Sequence, residues 1–450
     1  MTSGDFVNTV KINTDCGEIL GIAEEKFYEF RGIRYAEAKR FEYPTMITEW
    51  DGVYDATEFG ACSLQRRAYE EDEKCNAFYH KEFRKGLSFT YSEDSLFLNI
   101  KTPKEAHDCP VVIYIHGGSF TGGSADEGHI KGNRFAENGV VYVGINYRLG
   151  PFGFCSHPDL RDSMGRCGNF GLYDQLTAIK WVRKNISAFG GNPNRITLMG
   201  QSAGAMSVDI LMSSPECVNL ISGAIMMSGA GIQRLAAKPL KPEKTKKFWD
   251  TIINNAGVSS IRELKNVDAK TLFYAWSDAC DSDKLSMLHT LPVVDGRIIT
   301  SGSFNRRTVP QIPMIIGVTV TDMVPAVMEA LTKKYVYAAE KCGAKCYVYN
   351  FNRNLPGDSN GAWHSADLLY AFGTLDFNWR PFEDIDRKIS QQMVESFSAF
   401  VRSGDPNCDS IPQWNTGAVI PMRFCEHTAP MPWDTKNMIK NTFSNKGAEF

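Results

Sequence analysis

The pentapeptide Gly-Gln-Ser-Ala-Gly at 200–204 centres on a serine whose surroundings favour a nucleophile. The run RITLMG before it is typical of a short buried strand, and AMSVDILM after it of a helix. A sharp strand-to-helix turn would project the Ser202 hydroxyl above the strand end, and the glycines would let strand and helix approach closely. The bare pattern arises by chance about 0.2 times in such a chain. The prediction that Ser202 is a nucleophile therefore depends on the position of the motif between a strand and a helix.

A nucleophilic serine needs a base, and the base needs a carboxylate to orient it. When the nucleophilic serine follows a strand of a parallel sheet, the acid and then the histidine are expected after later strands of the chain. His364 comes a short loop after the strand-like run AKCYVYNF, and Asp322 follows the strand-like run MIIGVT. We therefore predict that His364 is the base and that Asp322 accepts its Nδ1–H. Glu329 is the alternative acid, although it falls in a helical pattern.

Acyl transfer passes through a tetrahedral oxyanion, which preorganised backbone amides must stabilise. The sequence HGGSF at 116–120 follows a buried strand, and a glycine-rich turn there can bring bare amides close to a substrate. Gly117 would mainly shape this turn. His116 is a second candidate base by its position, and Ser228, after another apolar run, is a second candidate nucleophile without an elbow.

The elements that must position these residues are predicted from hydrophobic patterns. From residue 110 onward, apolar runs of strand length alternate with helical patterns, which favours an α/β fold with a mostly parallel sheet. Residues 6–35 are typical of antiparallel N-terminal strands. The charged, aromatic segment 63–92 indicates a lid-like loop, and 235–290 a helical cap insertion. Without repeats or low-complexity linkers, residues 1–450 are predicted to form a single domain.

Several blocks resemble the type B carboxylesterase and cholinesterase-like family, in the order that family has them. They are FGGNPNRITLMGQSAG (189–204), EDSLFLNIKTP (93–103), IHGGSF, NYRLGPFGF and GNFGLYDQ. The resemblance implies an α/β-hydrolase fold and a serine carboxylesterase that works through a Ser-His-Asp triad and an acyl-enzyme. It also implies that the amides of Gly118, Ser119 and Ala203 form the oxyanion hole, and that His116 is structural.

The chain departs from the family pattern at several points. Ser119 stands where many relatives have a third glycine, and Asp322 stands where the carboxylate is usually glutamate. The interval from 322 to 364, which is 364 − 322 = 42 residues, is shorter than in relatives. The resemblance further implies a buried ion pair between Glu93 and Arg148.

Composition limits the partners. A formal net charge of −3 predicts no nucleic-acid partner, and the short apolar runs predict no membrane span. The cysteines, twelve in number, are scattered and lack zinc-ligand spacing, so we expect free thiols, a cytoplasmic protein, and neither a metal nor a cofactor. The expected partner is a small ester, and the oligomeric state is left open. A non-catalytic adhesion or scaffold protein on this fold, or an enzyme acting on amides, thioesters or lactones, remains an alternative.

Overall fold

The structure, a computed structural model, describes residues 8–304 and 309–443. Within these residues one large mixed sheet of thirteen strands forms the centre of the molecule. In sheet order, twelve of the strands are Thr9–Thr14, Gly17–Ala23, Phe27–Arg34, Phe97–Pro103, Val141–Ile145, Cys109–Ile115, Gly191–Gln201, Gly223–Met227, Met314–Thr319, Cys346–Phe351, Gly417–Phe424 and Ala429–Pro430, and Tyr54–Asp55 pairs with the second.

The strands from Thr9 to Arg34 pair antiparallel, as predicted for residues 6–35, of which 6 and 7 lie outside the described residues. From Val141–Ile145 to Gly417–Phe424 every neighbouring pair is parallel. Every residue of Met314–Thr319 and Cys346–Phe351 is buried. Burial on both faces explains why these strands appear in the sequence as uninterrupted apolar runs instead of alternating patterns.

Alternate residues of one central strand belong to two different cores, as the two-residue repeat of a strand requires. Val111 and Ile113 pack in one core, beneath helices Phe170–Asn185 and Ala203–Met212. Val112 and Tyr114 pack in the other, beneath helix Asp384–Ser403. The sheet is therefore covered on both faces.

The remaining α-helices lie around these layers. They are Asp72–Cys75, Ala77–Tyr79, Asn133–Glu137, Gly150–Phe154, Ile232–Leu235, Pro242–Asn255, Ala269–Ser282, Ser286–His289, Pro325–Lys341, Ala366–Ala371 and Thr435–Phe443. Those between 242 and 289 pack around a third apolar cluster that includes Trp249, Trp276 and Phe152. Segment 63–92 contains short helical turns from residue 72 to residue 84.

The ion pair expected between Glu93 and Arg148 is wrong. Arg148 instead donates from Nε and Nη2 to the two oxygens of Asp174, each at 2.8 Å, and Arg40 binds Glu93. Asp174 is the fifth residue of helix Phe170–Asn185 and is fully buried, and both its carboxylate oxygens face the planar guanidinium. Glu93 is about one third exposed and lies across from a different arginine.

Candidate active site

Ser202 sits in a strained turn between strand Gly191–Gln201 and helix Ala203–Met212. Its backbone has φ +54° and ψ −123°, a conformation that non-glycine residues rarely adopt. The Ser202 amide donates to the carbonyl of Met227 (2.8 Å), and its carbonyl accepts from the amide of Met206 (2.9 Å). The neighbouring strand and the following helix thus hold the strained residue in place.

The two glycines of the pentapeptide are required by close contacts. A Cβ atom on Gly200 would lie 2.4 Å from the backbone of Gly204. A Cβ atom on Gly204 would lie 2.0 Å from the carbonyl oxygen of Ile115. Only glycine allows strand and helix to approach this closely, as the sequence pattern predicted.

Asp322 and His364 lie side by side beyond the ends of the adjacent strands Met314–Thr319 and Cys346–Phe351. The preceding residues, Thr321 and Trp363, form a parallel bridge, which aligns the two chains. His364 Nδ1 lies 2.6 Å from Asp322 Oδ1. The bridge explains how an aspartate, one methylene shorter than glutamate, reaches the imidazole.

Asp322 is fully buried and is surrounded by hydrogen-bond donors. Besides His364, the hydroxyl of Ser228 (2.5 Å) and the amide of Met323 (2.8 Å) donate to its oxygens. Burial alone would raise the pKa of Asp322, but the charge of His364 and these hydrogen bonds hold it below its usual value. Asp322 is therefore ionised at neutral pH.

The pKa of the His364 imidazole is shifted in the opposite direction. Burial lowers its pKa, but the charge of Asp322 and the hydrogen bond to it leave that pKa above the ordinary value. His364 Nε2 lies 3.1 Å from the side-chain nitrogen of Gln201. Ser202 and His364 line the same cavity of about 260 Å³.

The predicted oxyanion turn lies against the serine. A Cβ atom on Gly117 would lie 3.2 Å from Ser202 Cβ, so the absence of a side chain at Gly117 leaves room for the strand-to-helix turn at Ser202. Gly118 and Ser119 both have positive φ, at +102° and +55°. Within the described residues, none of the amides of Gly118, Ser119 and Ala203 donates a hydrogen bond to another protein group. All three remain available to an acceptor bound above Ser202.

The alternative candidates have other partners, although His116 lines the same cavity as Ser202. His116 contacts the carbonyl of Gly117 through Nδ1 (2.8 Å) and stacks on Tyr147, and burial lowers its pKa. Its Nδ1 is thus engaged by the turn, with no hydrogen bond to Ser202 among the described residues. Glu329 is paired with Lys333 and Thr435 in helix Pro325–Lys341, away from His364.

Sequence reasoning missed two polar residues next to the histidine. Gln201 contacts His364 directly, and Asp367 lies three residues after it in the short helix Ala366–Ala371. Asp367 accepts from the Tyr349 hydroxyl (2.6 Å), and burial together with the Asp322 charge raises its pKa to about 6. The available signal was a lone carboxylate in an otherwise apolar helical segment.

The rest of the cavity is lined by both aromatic and charged residues. The lining includes the aromatic residues Tyr79, Phe83 and Trp363 and two arginines, Arg66 and Arg67. The lining contains no residue of 235–290. Among the described residues, no three His, Cys, Asp or Glu side chains are grouped so as to hold a metal ion, and no helix is long and apolar enough to cross a membrane.

Comparisons with known proteins agree with this architecture. The sequence profile described as "Carboxylesterase family" matches residues 8–337 and 323–431. The para-nitrobenzyl esterase of Bacillus subtilis is 27% identical, over 89% of this chain and 91% of its own. The bile salt-activated lipase of Rattus norvegicus is 30% identical, over 91% of this chain and 78% of its own. The crystal structure of a Geobacillus stearothermophilus carboxylesterase superimposes with a TM-score of 0.79 at 26% identity, covering 96% and 99% of the two chains.

The sheet, its helical layers and these solved relatives define the protein as an α/β-hydrolase, which confirms the predicted fold. The chain belongs to the carboxylesterase family, and it is a carboxylic-ester hydrolase.

Proposed function

We propose that this esterase works through a triad of Ser202, His364 and Asp322 and an acyl-enzyme intermediate. One observation carries the proposal: a strained serine and a histidine that contacts a buried carboxylate line one cavity, beside backbone amides that have no acceptor among the described residues. The Ser202 hydroxyl makes no hydrogen bond to His364 among the described residues. Such contacts commonly tighten only when a substrate binds.

The proposed chemistry proceeds in two halves. His364 Nε2 takes the Ser202 proton as Oγ attacks the ester carbonyl, and the oxyanion is stabilised by the amides of Gly118, Ser119 and Ala203. His364 then gives that proton to the leaving alcohol. Water, deprotonated by the same imidazole, cleaves the acyl-enzyme and restores the serine. Asp322 fixes the tautomer and stabilises the imidazolium throughout.

We infer that the substrates are small esters with short- to medium-chain acyl groups. The aromatic wall made by Tyr79 and Phe83 of segment 63–92 supports this, because it bounds a cavity of about 260 Å³. This wall supports a lid-like role for the segment, and the helices of 235–290 are proposed as a structural cap. A rate that rises steadily from butyrate to palmitate esters would contradict the proposed preference.

We also propose a cytoplasmic location. All twelve cysteines lie among the described residues as free thiols. Burial raises the pKa of the Cys62 thiol well above its usual value, with the Asp126 charge adding to the effect. Thiols of this kind suit a reducing compartment. Detection of the native protein by cell fractionation, with an oxidising compartment as the contrary result, would decide this point.

The mechanism is tested by incubating the protein with a fluorophosphonate and mapping the labelled peptide. We expect label on Ser202, no label after Ser202→Ala, and slow labelling after His364→Gln. His427→Gln, a change at an exposed histidine, is the matched control and should label at the native rate. Label on another serine, or an unchanged rate in His364→Gln, would overturn the proposed triad. Faster turnover of an anilide than of its matched ester would instead show that an amide bond, and not an ester bond, is the preferred substrate bond.

A further inference from the structure

Gln201 is a buried side chain that faces the proposed base. It is the last residue of strand Gly191–Gln201, is only 3% exposed, and reaches His364 with its amide nitrogen 3.1 Å from Nε2. Gly117 makes room for it, because a Cβ atom there would lie 2.9 Å from Gln201 Oε1. The side chain of Gln201 therefore packs closely against the predicted oxyanion turn.

The tautomer of His364 determines what this contact is. Asp322 is ionised and accepts the proton on Nδ1, so Nε2 of the neutral imidazole carries a lone pair. An unprotonated ring nitrogen can only accept a hydrogen bond, and the side-chain amide nitrogen of Gln201 can only donate one. The contact is therefore an N–H···N hydrogen bond from Gln201 to the basic nitrogen.

That lone pair is the one that must accept the proton of Ser202. Among the described residues, the side chain of His364 forms hydrogen bonds with Asp322 and Gln201 and with no other residue. Gln201 and the serine hydroxyl therefore compete for one nitrogen.

We propose that Gln201 is a positioning residue, which holds the basic nitrogen of His364 in the resting protein and releases it to Ser202 when an ester enters the cavity. This inference rests on the proposed triad. A second consequence follows from the same contact: the amide donor favours the neutral imidazole, because it faces a nitrogen that has no proton.

The other ionisable groups that act on His364 have the opposite effect. Asp322 contacts Nδ1, and the Asp367 carboxylate lies close enough for its charge to act on the imidazole. Both favour the imidazolium, and the Tyr349 hydroxyl donates to Asp367. Gln201 is the neutral group that opposes these two carboxylates, so its removal should raise the pH at which His364 becomes neutral.

The test compares kcat/KM from pH 5 to 9 for the full chain and for two variants. In Gln201→Met the donor is lost. We expect the acid limb of the profile, the range in which kcat/KM falls as the pH is lowered, to move up by about half a pH unit, because one hydrogen bond of ordinary strength is lost. In Gln201→Glu a carboxylate replaces the donor, and the limb should move further up. Gln311→Glu makes the same chemical change at an exposed position and should leave the profile unchanged.

The alkaline plateau separates this role from a structural one. With the competing donor gone, Gln201→Met should keep or exceed the native kcat/KM above pH 8, and fall below it only on the acid limb. A loss that is equal at every pH, or a limb that stays in place in both variants, would overturn the inference. NMR of the His364 ring nitrogens should show the same displacement without any turnover. If Ser202→Ala keeps its activity, the proposed triad fails, irrespective of Gln201.

Discussion

Asp322 is a single residue on which much of the site geometry depends. It accepts from His364, Ser228 and Met323, and these donors together offset the cost of keeping a carboxylate ionised inside the protein. The hydroxyl of Ser228, which was the second candidate nucleophile, is therefore engaged with the Asp322 carboxylate. Both serines have a positive φ, but of the two only Ser202 lines the cavity.

Replacement of Asp322 by asparagine should lower kcat by roughly 10⁴-fold. An amide NH₂ in place of a carboxylate oxygen favours the wrong tautomer of His364, with its proton on the nitrogen that must act as base. Steady-state kinetics and fluorophosphonate labelling measure the loss. Glu329→Gln tests the alternative acid and should change kcat less than twofold. Equal losses in the two variants would contradict the assignment of Asp322.

The pH dependence of the native protein follows from the His364–Asp322 pair. Since the Asp322 charge raises the pKa of His364 above 6.5, the imidazole is protonated, and unable to act as base, at pH values where free histidine is already neutral. Activity should thus fall, as the pH is lowered, with a midpoint above 6.5. A profile of kcat/KM between pH 5 and 9 checks this, and a midpoint below 6.5 would contradict it.

The turn after strand Cys109–Ile115, which contains Gly118 and Ser119, is fixed by internal hydrogen bonds. The carbonyl of Gly118 accepts from the amides of Thr121 (2.9 Å) and Gly122 (3.0 Å). The amide of Gly123 donates to the side chain of Gln65 (3.1 Å). Because its carbonyls are engaged inside the turn, its free amides keep their direction before a substrate arrives, which is the preorganisation that oxyanion stabilisation requires.

Gly118→Ala should damage this turn specifically. A Cβ atom at Gly118 would lie 2.3 Å from the carbonyl oxygen of Gly122, and the positive φ adds strain. We expect kcat to fall by about 10²-fold or more as the amides are displaced. Gly86→Ala is the matched control, since Gly86 also has a positive φ but nothing within 4 Å. A similar loss of kcat in both variants would refute the role of the turn.

The sequence predicted those elements whose cause is local. Buried parallel strands produce uninterrupted apolar runs, and the elbow requires glycines at 200 and 204, so the sheet centre and the position of Ser202 were both foreseen. The glycines of the turn similarly indicated where free amides would lie. His364 and Asp322 followed from strand order, because adjacent parallel strands end at one edge of the sheet.

Contacts between distant residues could not be predicted in this way. The resemblance implied Glu93 as the partner of Arg148, whereas the packing of helix Phe170–Asn185 brings Asp174 to it. The contact of Gln201 with His364 joins residues 163 apart and leaves no periodic signal. The charged residues between 72 and 84, which suggested an irregular loop, form short helical turns, and several of their charges are paired, some of them with distant residues.

At the scale of the whole molecule, buried ion pairs tie segment 63–92 to the body. Arg84 binds Glu127, and both side chains are almost fully buried. Glu82 pairs with Arg380, almost 300 residues away in the sequence, and Arg380 also binds Asp358. The cavity residues Tyr79 and Phe83 lie on this segment, so the shape of the cavity depends on these ion pairs.

Loss of the Arg380 charge should therefore destabilise the protein strongly. Arg380→Met leaves Glu82 buried without its partner, and breaking a buried pair from one side typically costs about 3–5 kcal/mol. The double variant Glu82→Gln/Arg380→Met removes both charges and should recover much of that loss. Urea unfolding measures the three proteins, with Arg387→Met as the control, since the Arg387–Asp376 pair is exposed and its loss should not move the urea midpoint measurably. If Arg380→Met unfolds at the same urea concentration as this control, the segment is held by its apolar contacts, and the wall of the cavity does not depend on the buried charges.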